Sequence, residues 1–161
     1  MIILGIDPGY DLVGFGLIEQ GNSMRDWHYL DGGVIKTLPK AEYWDRIEQI
    51  ARDIETIIKE FKPNVCSLED LFFSRNTKTG IKVAQARGVI GMKMQKNKIP
   101  IYEYGPSQVK LALTGSGRAD KSEMQEMVRL QLNLDKIPQP DDFADALAIA
   151  LCHGQSVWLG Q

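Results

Sequence analysis

Metal-binding sulfur and nitrogen are scarce in this sequence: its 161 residues include two cysteines, Cys66 and Cys152, and two histidines. The cysteines have neither zinc-site spacing nor the density of a disulfide scaffold, so both are expected as reduced core thiols in a cytoplasmic protein. No apolar run approaches the roughly 18 uninterrupted residues of a membrane span. A basic leader is missing too, and Asp7 interrupts the opening apolar run, which argues against a signal peptide. One stretch has no acid at all. Between Ser74 and Tyr102 there is no Asp or Glu, yet Arg75, Lys78, Lys82, Arg87, Lys93, Lys96 and Lys98 fall there, while Glu42, Asp45, Glu48, Asp53, Glu55 and Glu60 crowd the segment before it. The net charge of −2 therefore conceals an asymmetry that predicts a basic face for a polyanion, with the acidic side turned away.

What is present reads as one domain over residues 1–161, long enough to bury roughly 70% of its unfolded surface. Ile2, Ile3, Leu4 and Ile6 form a strand of the doubly buried kind, with Asp7 at its tip before a Pro8-Gly9 turn. Residues 12–19 and Trp27 to Lys36 continue an antiparallel meander. Gly14 and Gly16 mark a bulge or a close approach by another chain segment, and Gly32-Gly33 is expected to break the third strand. From Ala41 to Phe61, Trp44, Ile47, Ile50, Ala51, Ile54, Ile57, Ile58 and Phe61 recur at helical steps. Val65 to Glu69 repeats the opening design: a short buried strand ending in a carboxylate. A strand reached through a helix is parallel to its partner, which places Asp7 and Glu69 at one sheet edge, where α/β sheets keep their sites. Strand alternation points Asp70 the other way.

A second helix is predicted over residues 77–98, where Ala84, Gly88 and Gly91 form a small-residue stripe. Glycine costs up to about 1 kcal/mol in a helix interior, so a neighbouring helix should approach there, within the domain or across a dimer. One of Phe72 and Phe73 suits the core; the other could stack on an unpaired base. A strand over 99–104 and a short helix from Pro106, carrying Lys110, follow. The loop glycines 115 and 117, with Arg118 and Lys121, predict an anion site at a helix N-terminus, capped by Ser122 and Gln125 at capping-box spacing. Last comes a helix opened by Asp141 as N-cap, with Asp142 and Asp145 one turn apart on one face. His153 lies too far along that helix to join them.

Asp7, Glu69, Asp142 and Asp145 thus converge without histidine or thiol. All-oxygen donors select hard cations, Mg²⁺ or Mn²⁺, and two such ions can bridge a phosphodiester, activating water and stabilising the leaving oxygen. Setting these four aside leaves 17 of the 21 acids against 19 basic residues, a balance of +2.

Gly-Ile-Asp-Pro-Gly at 5–9, Leu-Glu-Asp-Leu-Phe-Phe at 68–73 followed by Asn76, Gln-Ala-Arg-Gly-Val at 85–89 and Asp-Phe-Ala-Asp-Ala-Leu-Ala at 142–148 resemble, in order and over essentially the whole chain, the RuvC Holliday junction resolvases. That resemblance implies an α/β, ribonuclease H-like fold: a mixed five-stranded sheet with helices on both faces. It implies a homodimeric, Mg²⁺-dependent endodeoxyribonuclease of DNA recombination and repair, with two ions per site, Mn²⁺ as a substitute, and a branch-migration complex as a further partner. The enzymes it resembles nick two opposed strands of a four-way junction, leaving 5′-phosphate and 3′-hydroxyl ends. By position, Asp7, Glu69, Asp142 and Asp145 would be the catalytic metal ligands. Phe72, Arg75, Asn76, Lys78, Lys82, Lys110, Arg118 and Lys121 would contact DNA, and Ala84, Gly88 and Gly91 would lie in the dimer interface. The sequence departs from the family at Tyr10, at Asp70 and in its acidic balance. An actin- or Hsp70-like ATPase duplicates its fold and needs a longer chain with an internal repeat; a junction-binding protein without chemistry would not need four carboxylates.

Overall fold

In the first strand, alternate side chains go to opposite faces of a central sheet, and that alternation decides where the site lies. The computed structural model describes residues 1–23, 26–70 and 77–158, the side chains of Thr77, Lys78 and Trp158 excepted. In order the elements are β1 (Ile2–Asp7), β2 (Leu12–Gln20), β3 (Trp27–Lys36), α1 (Tyr43–Phe61), β4 (Val65–Glu69), α2 (Thr77–Lys96), β5 (Ile101–Tyr104), α3 (Pro106–Thr114), α4 (Lys121–Gln131) and α5 (Asp141–Trp158). The strands form one mixed sheet of order β3-β2-β1-β4-β5. β1 is antiparallel to β2 and parallel to β4, so the α/β arrangement expected from the sequence is the one that forms.

Leu4 and Ile6 of β1, with Cys66 and Leu68 of β4, pack beneath α1 and α2 against Ile50, Ile54, Ile90 and Met94. Ile3 and Val65 face the other layer, where Val109, Val128, Leu147 and Ile149 of α3, α4 and α5 bury them. The same alternation sends Gly5 and Asp7, and on β4 Ser67 and Glu69, to the α5 side. Ser67 Oγ donates to the Ile149 carbonyl at 2.7 Å, which pins α5 across β4.

Small residues make that contact possible. A Cβ at Gly5 would lie 2.1 Å from the Ala146 carbonyl oxygen, and one at Gly14 would lie 1.9 Å from that of Asp142. At Gly16 it would meet Leu147 Cδ2 at 2.6 Å. The glycines of β1 and β2 are thus a lane on which α5 rests, close approach being the correct one of the two reasons the sequence allowed. The register shift of β2 against β3 falls at Leu17/Ile18 instead.

Several expectations need correction. Gly32-Gly33 does not break β3, which runs unbroken from Trp27 to Lys36; the missing Cβ at Gly32 admits the Phe143 ring. Trp44 is not core: it is 72% exposed, because Tyr43, Arg46, Ile47 and Ile50 take the inward face of α1. α4 is capped by Asp120 and Glu123, each side chain bonding the other's backbone N–H at 2.9 and 2.8 Å, rather than by Ser122 and Gln125. α2 ends at Lys96, and β5 begins only at Ile101. Asp141 is the first residue of α5, and its carboxylate is engaged away from the helix end. Among the described residues no helix is long and apolar enough to cross a membrane.

Candidate active site

Ile6 of β1 and Leu68 of β4 are register partners in a parallel pair, so the next residues, Asp7 and Glu69, stand side by side at the carboxyl ends of the two central strands. Across β1, Asp7 is the partner of Gly14, and Asp142 Cβ lies 3.2 Å from where a Cβ of Gly14 would be. Helix α5 therefore lowers Asp142 beside Asp7. Asp145, one turn further on, comes within reach of Glu69. The four carboxylates singled out in the sequence are thus carried to the same edge of the sheet.

Their crowding is visible in their protonation. Burial, and then the charges of Glu69, Asp145 and Asp142, push the Asp7 carboxyl up from 3.8 to about 8. Burial is also the first cause raising Glu69, with the Asp145 charge adding to it. Asp145 is raised by burial as well, against the opposing pull of the Lys121 ammonium. Burial and crowding thus favour the protonated form of Asp7 beside Glu69. Among the described residues no three His, Cys, Asp or Glu side chains are already gathered as a ready ligand set. Instead, Lys121 Nζ lies 3.5 Å from Asp145 Oδ2 and 2.9 Å from Asp141 Oδ2.

Glu69, Asp145, Lys110 and Lys121 line a hollow of about 250 Å³ together with Pro106, Val109 and Met124. Two of the basic residues proposed from the sequence are therefore at the carboxylates. At the helix N-terminus expected beside Lys121, the Asp120 cap takes the N–H of Glu123. Arg118 is not at the site; it lines a separate hollow with Glu123 and Glu126. Lys82 Nζ lies 4.9 Å above the Tyr10 ring, on the turn that follows Asp7. Phe72, Arg75 and Asn76 fall outside the described residues, as does the side chain of Lys78. The basic face is partly consumed by internal pairing: Lys93 meets Glu55 at 3.2 Å, and Arg87 is held by Glu103 with Asp70 at 4.0 Å. Asp70, one residue past the end of β4, lies beside Arg87 of α2. His153 is buried too, its Nδ1 hydrogen-bonded to Tyr104 Oη at 2.7 Å, and serves the core.

Two supports were missed. Arg46 is 7% exposed; its Nε donates to Thr37 Oγ1 at 2.8 Å, its guanidinium also binds Asp11, and it lies 3.9 Å over the Tyr10 ring. It braces the turn after Asp7. The signal for it was its place four residues before Ile50, on the buried face of α1. The other is Asp141, whose Oδ1 accepts from Gln125 Nε2 at 2.8 Å while its Oδ2 faces Lys121. Its position beside two further acids gave no sign of this.

On α2, nothing within 4 Å would obstruct a Cβ at Gly88, and only Ile101 Cδ1, at 3.9 Å, approaches one at Gly91. No helix of the described chain approaches Gly88 or Gly91 closely. Beside it Ile81 and Met92 are 53% and 50% exposed.

A family model described as "Crossover junction endodeoxyribonuclease RuvC" matches residues 3–153. A protein of that name from Halothermothrix orenii is 50% identical over 162 residues, covering 100% of this chain and 96% of its own length. Its counterpart in Clostridioides difficile is 47% identical, with 97% and 91% covered. Among solved structures, that of Thermus thermophilus RuvC in complex with a Holliday junction substrate superposes with a TM-score of 0.94 at 36% identity, covering 99% of this chain and 96% of that one.

Proposed function

This chain belongs to the RuvC family of crossover junction endodeoxyribonucleases, and from that premise we propose that it resolves four-way (Holliday) DNA junctions by paired, symmetric hydrolytic nicks that leave 5′-phosphate and 3′-hydroxyl ends. The observation that carries this most directly is the placement of Asp7, Glu69, Asp142 and Asp145 at one edge of a ribonuclease H-like sheet. There burial, and then the neighbouring carboxylates, push one carboxyl up to about 8, and cations would offset that concentration of negative charge. The donor set is all oxygen, with no thiol or imidazole among the four, which suits Mg²⁺, or Mn²⁺ in its place, and has donors enough for two ions. When bound, such ions supply Lewis acidity for water attack and for the leaving oxygen.

The chain's own residues do the rest. Asp7 and Glu69 would hold a cation from the sheet, and Asp142 and Asp145 would hold it from the helix. To bind an ion, Asp7 must give up its proton and Lys121 must yield its place at Asp145. Lys110 and Lys121, at the hollow, are placed for the phosphate. Lys82 extends this basic rim past Tyr10, and Phe72, Arg75, Asn76 and Lys78 precede or begin α2, near enough in sequence to serve the same DNA. Arg118, facing Glu123 and Glu126, would contact only a strand that passes outside the hollow. Two opposed nicks need two sites, and the stripe at Ala84, Gly88 and Gly91, open at its two glycines, with the exposed Ile81 and Met92 supports a homodimer. We take residues 1–161 as a single nuclease domain. It would work in the cytoplasm, where Cys66 and Cys152 remain free thiols, on junctions delivered by a branch-migration complex.

The test is a synthetic four-way junction against a matched linear duplex, with and without Mg²⁺. Paired nicks confined to the junction and to the metal-containing reaction are expected. Equal cutting of the duplex, or Mg²⁺-independent nicking, would remove the proposal. An ATPase is not favoured, since the family match runs through the chain from residue 3 to 153.

A further inference from the structure

Asp141 is a charged side chain beside the site that is not one of the four carboxylates. It and Asp145 are four residues apart on α5, hence one turn apart on one face. On α4 the residues facing them, Lys121 and Gln125, are also four apart. The four side chains interlock: Gln125 Nε2 donates to Asp141 Oδ1 at 2.8 Å, Lys121 Nζ reaches Asp141 Oδ2 at 2.9 Å, and the same ammonium lies 3.5 Å from Asp145 Oδ2. Both oxygens of Asp141 are thereby occupied, one by the amide that orients it and one by the ammonium. An ammonium has three donors and no acceptor, so Lys121 can be shared between two carboxylates, and the shorter contact is the one to Asp141.

That sharing has a direction. Asp145 is one of the four carboxylates of the cluster, and an ammonium settled on it competes with any cation there. Asp141 sits one turn nearer the start of α5, outside the four, and draws the ammonium outward without drawing it away. We propose that Asp141 is a positioning residue which, oriented by Gln125, holds the Lys121 ammonium at the rim of the site, leaving Asp145 open to a divalent ion and Lys121 beside the hollow it shares with Glu69 and Lys110. This presupposes the cation site proposed above. An acid in the first turn also stabilises a helix through its dipole; that role alone would be independent of Lys121.

The two roles separate in a double-mutant cycle read by binding of Mn²⁺ alone to the DNA-free protein, measured calorimetrically for wild type, Asp141→Asn, Lys121→Met and the double variant. Asp141→Asn should weaken Mn²⁺ binding by about two- to fivefold, the range of a half-exposed ion pair, as the ammonium settles on Asp145. In the Lys121→Met background the same substitution should change nothing. Gln125→Ala, which alters no charge, should shift affinity in the same direction by less. Unchanged Mn²⁺ affinity in Asp141→Asn overturns the inference, and so does a loss that persists without Lys121, because Asp141 would then act through its own charge. A lowered melting temperature with unmoved Mn²⁺ affinity overturns it as well, leaving only the helix-dipole role. Failure of the wild type to bind Mn²⁺ sinks the cation site and this inference together, whereas ordinary wild-type binding that ignores Asp141 sinks the inference alone.

Discussion

A carboxylate at the end of a buried strand is costly by itself, and Asp7 lowers that cost by keeping its proton. Its pKa is raised from 3.8 to about 8, so the metal-free folded protein binds a proton that the unfolded chain releases above about pH 4. This contribution to stability is complete below the unfolded value and is lost as pH rises through about 8. Asp7→Asn should therefore melt higher than wild type in EDTA, by about 2–4 °C for each kcal/mol relieved, with the gap widening from pH 5 to pH 9 in a thermal scan. A gap that closes over that range would mean Asp7 is not the strained group. With Mg²⁺ added the order should reverse, since only the wild type gains a ligand, and the variant should bind junctions without cutting them.

At the level of elements, α5 on its glycine lane sets the geometry. Gly14→Ala would force a Cβ into the Asp142 carbonyl oxygen, at 1.9 Å; overpacking of this kind costs about 1–3 kcal/mol. It should lower the melting temperature and also depress cleavage sharply without touching any carboxylate. Normal cleavage at a temperature where Gly14→Ala is fully folded would show that α5 can shift without moving Asp142. Much of this was legible in advance. The apolar runs and their terminal acids located β1 and β4, and the glycines of β2 pointed to either a bulge or a close approach, of which the structure takes the second. Caps and pairings were less legible. Asp120–Glu123 and Ser122–Gln125 have the same spacing, and only the backbone at the turn decides between them. Asp141 had the composition of an N-cap, but α4 offers it Lys121 and Gln125, partners brought close by tertiary packing alone. Trp44 has the right period for the core and the wrong phase.

Across the whole molecule, charge and exposed apolar surface set the partners. The acids of α1 and the bases of α2 partly neutralise each other, Lys93 with Glu55, so DNA-facing charge is expected at Lys110, Lys121 and, near the start of α2, Lys82 rather than further along that helix. Junction affinity should therefore fall more for Lys110→Ala than for Lys96→Ala in electrophoretic binding assays done in Ca²⁺ at fixed salt; the opposite ranking would place the DNA along α2. Gly88→Lys adds a charged stem to a position with nothing within 4 Å in its own chain. It should leave the monomer's fold intact yet give a monomeric mass by light scattering and single, uncoupled nicks. A dimeric mass would put the interface elsewhere. The acids themselves come from both ends of the chain: Asp7 from the first strand, Glu69 from the middle and the last two from α5. During synthesis, then, a nascent polypeptide carries only half of the cluster until its final helix leaves the ribosome, and a product truncated before residue 141 has an uncovered glycine lane. Such fragments, with two of the four carboxylates missing, are expected to show no cleavage of a four-way junction.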